Sequence, residues 1–158
     1  MDQLRTWILN LQQFVDTLPG PLQVIAVFLI GMIPFLEGDA AATIGVVVGI
    51  HWLPSILLGV MGTVAVTFLA LGATARIGRR VQNRGEVHKV IRRVEQWGVP
   101  SAMLISGFLF SVPVTVFIMR TAGLGRSIVL ASAIAVAILN GLVAGLLAAG
   151  ILHWVIGI

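Results

Sequence analysis

Cysteine is absent from the 158-residue chain, which excludes disulfides, thiolate metal sites and cysteine nucleophiles and leaves the redox compartment open. Charge is almost as scarce. Only 10 % of residues are charged while 58 % are hydrophobic, and the mean hydropathy of +1.06 is far from that of a soluble domain. No Gly-rich phosphate loop, nucleophile elbow or zinc-ligand spacing occurs. His51, His88 and His153 are too widely separated in sequence to form a metal motif. The expectation is therefore a membrane protein that is no enzyme and needs no metal or cofactor. A chain of this length has room for one membrane domain of a few crossings.

The first residues do not read as a secretory leader, because Asp2, Arg5, Asp16 and several glutamines interrupt the apolar run. Over 1–18, Leu4, Trp7, Ile8, Leu11, Phe14, Val15 and Leu18 recur at helical spacing opposite Gln3, Asn10, Gln12, Gln13 and Asp16. That pattern predicts an amphipathic helix lying in the membrane interface with Trp7 as an anchor. Pro19-Gly20-Pro21 ends it.

Over 21–75 the sequence predicts a first repeat. The 14 residues from Pro21 to Pro34 make about 21 Å of helix, short of a hydrocarbon core of about 30 Å. Ala40 to Ile50 adds another 11 before His51-Trp52-Leu53-Pro54. Two half-helices around a polar break fit a re-entrant hairpin, with one kinked crossing as the alternative. Ser55 to Ala75 then supplies an uncharged 21-residue crossing, with Gly59 and Gly62 as a small face for close helix approach.

Seven of the ten basic residues, Arg76 to Arg93, lie in one segment against Glu86 and Glu95. The positive-inside rule makes 76–97 cytoplasmic, and Val87, Val90, Ile91, Val94 and Trp97 give it the spacing of a second surface helix. So local a cluster is an orientation signal and no nucleic-acid footprint. Residues 98–158 repeat the plan: a short apolar pair broken at Pro113, then a long run after Arg126 with Gly141, Ala144, Gly145 and Ala148 as a packing face. The expected fold is all-α: an inverted repeat of a re-entrant helical hairpin plus a transmembrane helix, with amphipathic interfacial helices, in a single membrane domain. Both termini then lie outside a plasma (inner) membrane; two fully spanning broken segments would instead place both in the cytoplasm.

The candidate chemistry sits at the two breaks. Glu37 and Asp39 stand two apart, about 200 degrees round a regular helix, but Pro34 and Gly38 predict a break that lets both line one polar cavity. An ionisable residue in a bilayer costs about 2.5–3.5 kcal/mol, so Glu37 is read as a proton-bearing group. Asp39 has two readings, a second functional acid or the cap of a helix beginning at Ala40. Arg120 follows the Pro113 break as the acids follow Pro34, which suggests a pairing with Glu37 or Asp39 that is structural or functional. Thr43, Ser111, Thr115 and Thr121 offer hydroxyls beside the breaks, for freed backbone groups or for substrate.

Two stretches carry a resemblance. Ile33-Pro34-Phe35-Leu36-Glu37-Gly38-Asp39-Ala40-Ala41-Ala42-Thr43-Ile44-Gly45 and Phe108-Leu109-Phe110-Ser111-Val112-Pro113 through Arg120-Thr121-Ala122-Gly123-Leu124-Gly125 resemble the small multidrug export protein family, related to the DedA membrane-protein superfamily. The likeness spans about 21–155 and is strongest at Pro-x-x-Glu followed by small residues. It implies facing re-entrant segments in inverted repeats and either proton-dependent transport or translocation of a lipid carrier such as undecaprenyl phosphate. Glu37 matches the acidic motif position. In the second motif the family places an arginine soon after the proline, where this chain has Val116 and only later Arg120; Gly38-Asp39 stands where a basic residue is common.

Three functions follow as expectations. The first is proton-coupled export of small amphiphilic or cationic molecules; the second is a lipid-phosphate flippase holding the phosphate at Arg120; the third is a non-transporting scaffold. The expected partners are protons, membrane lipids and an amphiphilic substrate or lipid carrier. Gly45/Gly49 and Gly141/Gly145 fit either a homodimer or packing within the chain.

Overall fold

The computed structural model describes residues 2–81 and 86–156. The side chains of 2, 4, 5, 7, 11, 75–93, 95–97 and 156 lie outside that description. So do the sequence readings that rest on them: the anchoring role of Trp7 and the basic face of Arg76 to Arg93 with Trp97.

The described residues form seven helices and no strand: α1 (Asp2–Asp16), α2 (Gly20–Gly31), α3 (Glu37–Val47), α4 (Trp52–Val81), α5 (Glu86–Leu109), α6 (Val112–Thr121) and α7 (Arg126–Ile156). α4 and α7 hold spans long and apolar enough to cross a membrane, Trp52–Thr74 and Arg126–Val155, with 33 % and 39 % of their most apolar windows buried. The core helix of a soluble protein would be mostly buried. Here the uncovered remainder is apolar, as with Leu57, Met61, Phe68 and Leu69 on α4 and Leu146, Leu147 and Ile151 on α7.

Element boundaries follow local chemistry. Pro21 lies in the first turn of α2, where a missing N–H costs nothing. The chain turns over 32–36, and α2 and α3 pack against each other. A Cβ on Gly45 would lie 3.4 Å from Val27 Cγ2, so the two arms run back along each other. The pair forms a helical hairpin. At the end of α3, Ile50 N–H bonds Gly45 O at 2.9 Å and Gly49 N–H bonds Val46 O at 3.1 Å, with Gly49 at φ 97. That is a Schellman stop, which needs a left-handed residue.

The second half shows the same order of short, short and long. α5 is interrupted at Gly98 (φ 75, ψ 159), the boundary expected from the sequence, and its apolar part, Gly98–Leu109, packs against α6. Pro113 lies in the first turn of α6. Gly123 (φ 92) closes α6 with Leu124 N–H to Met119 O at 3.2 Å and Gly123 N–H to Arg120 O at 3.1 Å, a second Schellman stop. The end of α4 differs from the expectation: helix continues past Ala75, so Arg76 to Val81 extend α4 and do not begin a separate surface helix.

By contact density the chain divides into two compact units, 1–62 with 139–158, and 63–138. The first is assembled around glycines. A Cβ on Gly59 would meet Gly38 O at 2.6 Å, and one on Gly31 would meet Gly59 O at 2.6 Å. The α2–α3 hairpin therefore rests backbone against backbone on α4, as the Gly59/Gly62 face led one to expect. Gly141 faces Val60 and Gly145 faces Ile56, so α7 packs on the same helix. Gly45 faces Ser55, and these small residues serve packing within the chain. The second unit closes on a buried cluster that includes Met103, Val112, Val116, Met119 and Val129.

Candidate functional site

Glu37 and Asp39 belong to the first unit; Ser111, Pro113, Thr115, Arg120 and Thr121 belong to the second. Each group is described within its own unit.

The first site is the turn of the α2–α3 hairpin. Pro34 is exposed at its apex, and Phe35 and Glu37 hold left-handed backbones at φ 76 and φ 41. Side-chain-bearing residues rarely adopt that region, at a cost of about 1–3 kcal/mol each, and such residues concentrate at functional sites. Nothing in the composition of the turn announced it, because neither residue is glycine. Glu37 is 7 % exposed although its turn neighbours Phe35 and Leu36 are 70 % and 41 % exposed. The turn thus folds its one acid inward and its large apolar groups outward. Gly38 is buried beside it, against the Gly59 backbone.

Asp39 corrects an expectation. α3 begins at Glu37 and not at Ala40, Leu36 is its N-cap, and no side chain caps it. Asp39 is therefore a first-turn residue and not the N-cap, its carboxylate accepting Ala40 N–H at 2.8 Å. Both acids lie in that turn, where the helix dipole favours negative charge. Thr43 donates to Asp39 O at 2.8 Å, and its hydroxyl is thereby engaged by its own helix.

The second site is the C-terminal end of α6. Arg120 sits in its last turn, and the Gly123 stop brings the following loop back so that an Arg120 terminal nitrogen donates to Leu124 O. Arg120 Nε is buried without a partner. With Arg126, Thr74, Phe68 and Leu71 it lines a cavity of about 240 Å³. Arg120 and Arg126 both line this cavity, and a guanidinium group offers planar paired donors to phosphate or carboxylate. Arg126, read in the sequence only as a topology marker, lines the same cavity as Arg120. Its signal was the spacing: Arg120 and Arg126 flank the helix-ending Thr121-Ala122-Gly123 turn.

The hydroxyls divide. Thr121 donates to Ile118 O at 2.9 Å, which engages it locally. Thr115 is buried, its N–H bonded to Ser111 O at 2.9 Å. Ser111 is 1 % exposed and forms the N-cap of α6 without a capping bond from its side chain. Its Oγ is buried with no partner, which marks it as the hydroxyl to watch. Among the described residues no cluster of three or more His, Asp or Glu could hold a metal. Comparison with protein-family models, curated proteins and solved structures returned no match.

Proposed function

We propose that the chain is a multi-pass integral protein of the plasma (inner) membrane and a secondary transporter, exchanging a proton at Glu37 for small amphiphilic, cationic molecules during export. The observation that carries this reading is a buried Glu37 in a hairpin turn whose other side chains are apolar and exposed. Turns in water favour polar residues and glycine. A turn of Ile33, Phe35 and Leu36 suits hydrocarbon, and the α5–α6 turn repeats the choice with Phe108, Leu109 and Phe110, 75 %, 66 % and 64 % exposed. The 12-residue α2 reaches about 18 Å, so a hairpin of such arms enters and leaves by one face and sets its turn near mid-depth. A carboxyl group there carries a cost that use explains better than packing does. Residues 76–97 are cytoplasmic in this reading, and both termini are outside.

The two-arginine cavity favours a second reading, a flippase for lipid phosphate in which Arg120 and Arg126 hold the headgroup. One experiment separates the two. Wild type, Glu37→Gln, Arg120→Ala and Arg126→Ala are reconstituted in liposomes and assayed for proton-driven uptake of a cationic dye and for translocation of a labelled polyprenyl phosphate. Dye uptake lost only in Glu37→Gln supports the carrier. Lipid movement lost in the arginine variants supports the flippase. Folded, inserted wild type with neither activity overturns both and leaves the scaffold.

A further inference from the structure

Neither site uses the other end of the first unit, where α1, α3, α4 and α7 meet. A groove of about 550 Å³ opens there, with Val46, Ile50, Trp52 and Leu152 among its apolar lining residues and Gln12, His51 and His153 as the polar ones. Leu152 and His153 reach it from the last turns of α7, and His51 and Trp52 from the start of α4. Gln12 ties α1 to this place by donating to Val47 O at 3.1 Å, against Gly49, where a Cβ would lie 3.4 Å from Gln12 Cγ.

Two of the groove's polar groups have a definite sense. His51 Nδ1 accepts Leu53 N–H at 3.3 Å, so in the neutral ring the proton sits on Nε2, which is a donor. A metal needs a lone pair at that nitrogen, so His51 in this tautomer is built to donate. The Gln12 amide keeps a second N–H after its bond to Val47. Among the described side chains no lysine, arginine, aspartate or glutamate lines the groove. The His51 and Trp52 rings lie 5.5 Å apart at 34°. Trp154, 73 % exposed, follows His153 at the same end of α7, and exposed tryptophans gather where lipid headgroups begin.

We propose that this groove binds one phospholipid, its chain on the Val46, Ile50 and Leu152 floor and its phosphate or ester oxygens accepting from His51, His153 and Gln12. The bound lipid fastens α1 to the ends of α3 and α7. The proposal rests on the membrane reading above and is independent of what is transported.

The test is quenching of tryptophan fluorescence by a phospholipid with brominated chains, on the full chain in detergent micelles. Wild type shows a saturable component that Trp52→Phe removes. The exposed His51 and His153 can be replaced without opening the core. His51→Ala/His153→Ala then weakens that component about tenfold, the loss for two hydrogen bonds of modest strength, with helix content unchanged. Millimolar inorganic phosphate does not compete, because it has no chain for the floor. Quenching that is unsaturable, or equal in wild type and the double variant, overturns the proposal. So does displacement of the lipid by equimolar zinc, which would make the pair of imidazoles a metal site. A failed groove in a chain that still inserts into liposomes leaves the membrane reading standing; failure to insert removes both.

Discussion

Replacing Gly59 by alanine tests the central contact of the first unit. In a helix interior, alanine is favoured over glycine by about 0.8–1.0 kcal/mol, and that gain should appear at any open glycine of α4. Gly72 is open, with nothing within 4 Å of an added Cβ. At Gly59 the Cβ would stand 2.6 Å from Gly38 O and 3.2 Å from Ala42 N. Both are backbone atoms, so no rotamer change relieves the overlap and the whole α3 arm must withdraw. Overpacking of this kind costs about 1–3 kcal/mol, which outweighs the propensity gain. Gly72→Ala is therefore expected to be neutral or more stable by up to about 1 kcal/mol, and Gly59→Ala less stable by up to about 2 kcal/mol. Gly31→Ala, whose Cβ would meet Gly59 O at 2.6 Å, should resemble Gly59→Ala. The double variant should cost less than the two singles together, because one displacement accommodates both. The assay is reversible unfolding in mixed micelles followed by circular dichroism. If Gly59→Ala gains as much as Gly72→Ala, the hairpin does not rest on α4 as described.

The remaining expectations concern stops, turns and hydroxyls. Gly49→Ala and Gly123→Ala, at φ 97 and φ 92, should each cost about 1–2 kcal/mol, with Asn milder at both; equal tolerance of Ala and Asn in the same unfolding assay would contradict the left-handed stops. A chain without cysteine allows single-cysteine labelling: Phe35→Cys and Phe108→Cys should resist membrane-impermeant thiol reagents from both sides, and labelling of either from one side would put its turn in water. Thr43→Val and Thr121→Val should lower stability by no more than about 1 kcal/mol and leave transport rates unchanged, because each hydroxyl bonds a carbonyl of its own helix; a lost activity would give that hydroxyl a substrate role.

Much of the helix plan was legible because its punctuation is chemical. Pro21 and Pro113 can sit only near helix starts, Gly98 sits where the helix breaks, and the gaps between such marks are too short for a crossing. The Gly59/Gly62 face announced a close approach, although the sequence could not say which helix would come. The start of α3 was not legible, because a left-handed glutamate is set by surroundings and not by propensity. The meeting of Arg120 with Arg126 was hidden for a different reason. It depends on a Schellman turn folding six residues back, which makes sequence neighbours into cavity partners. The groove at His51 and His153 draws on residues about a hundred apart, and no local pattern encodes that.

The glycine crossing also bears on how the protein is made. A helix of 11 or 12 residues is too short to be recognised as a membrane span during synthesis, and α2 and α3 come before α4 in the chain. In the membrane topology proposed above, the α2–α3 pair waits at the membrane surface until α4 has been inserted, and then enters sideways against it. On that proposed route the closely packed Gly31, Gly38 and Gly59 surfaces are the docking points for the late step. A ribosome-arrested chain ending within α4 should accordingly leave Phe35 open to labelling, and release of the completed chain should close it.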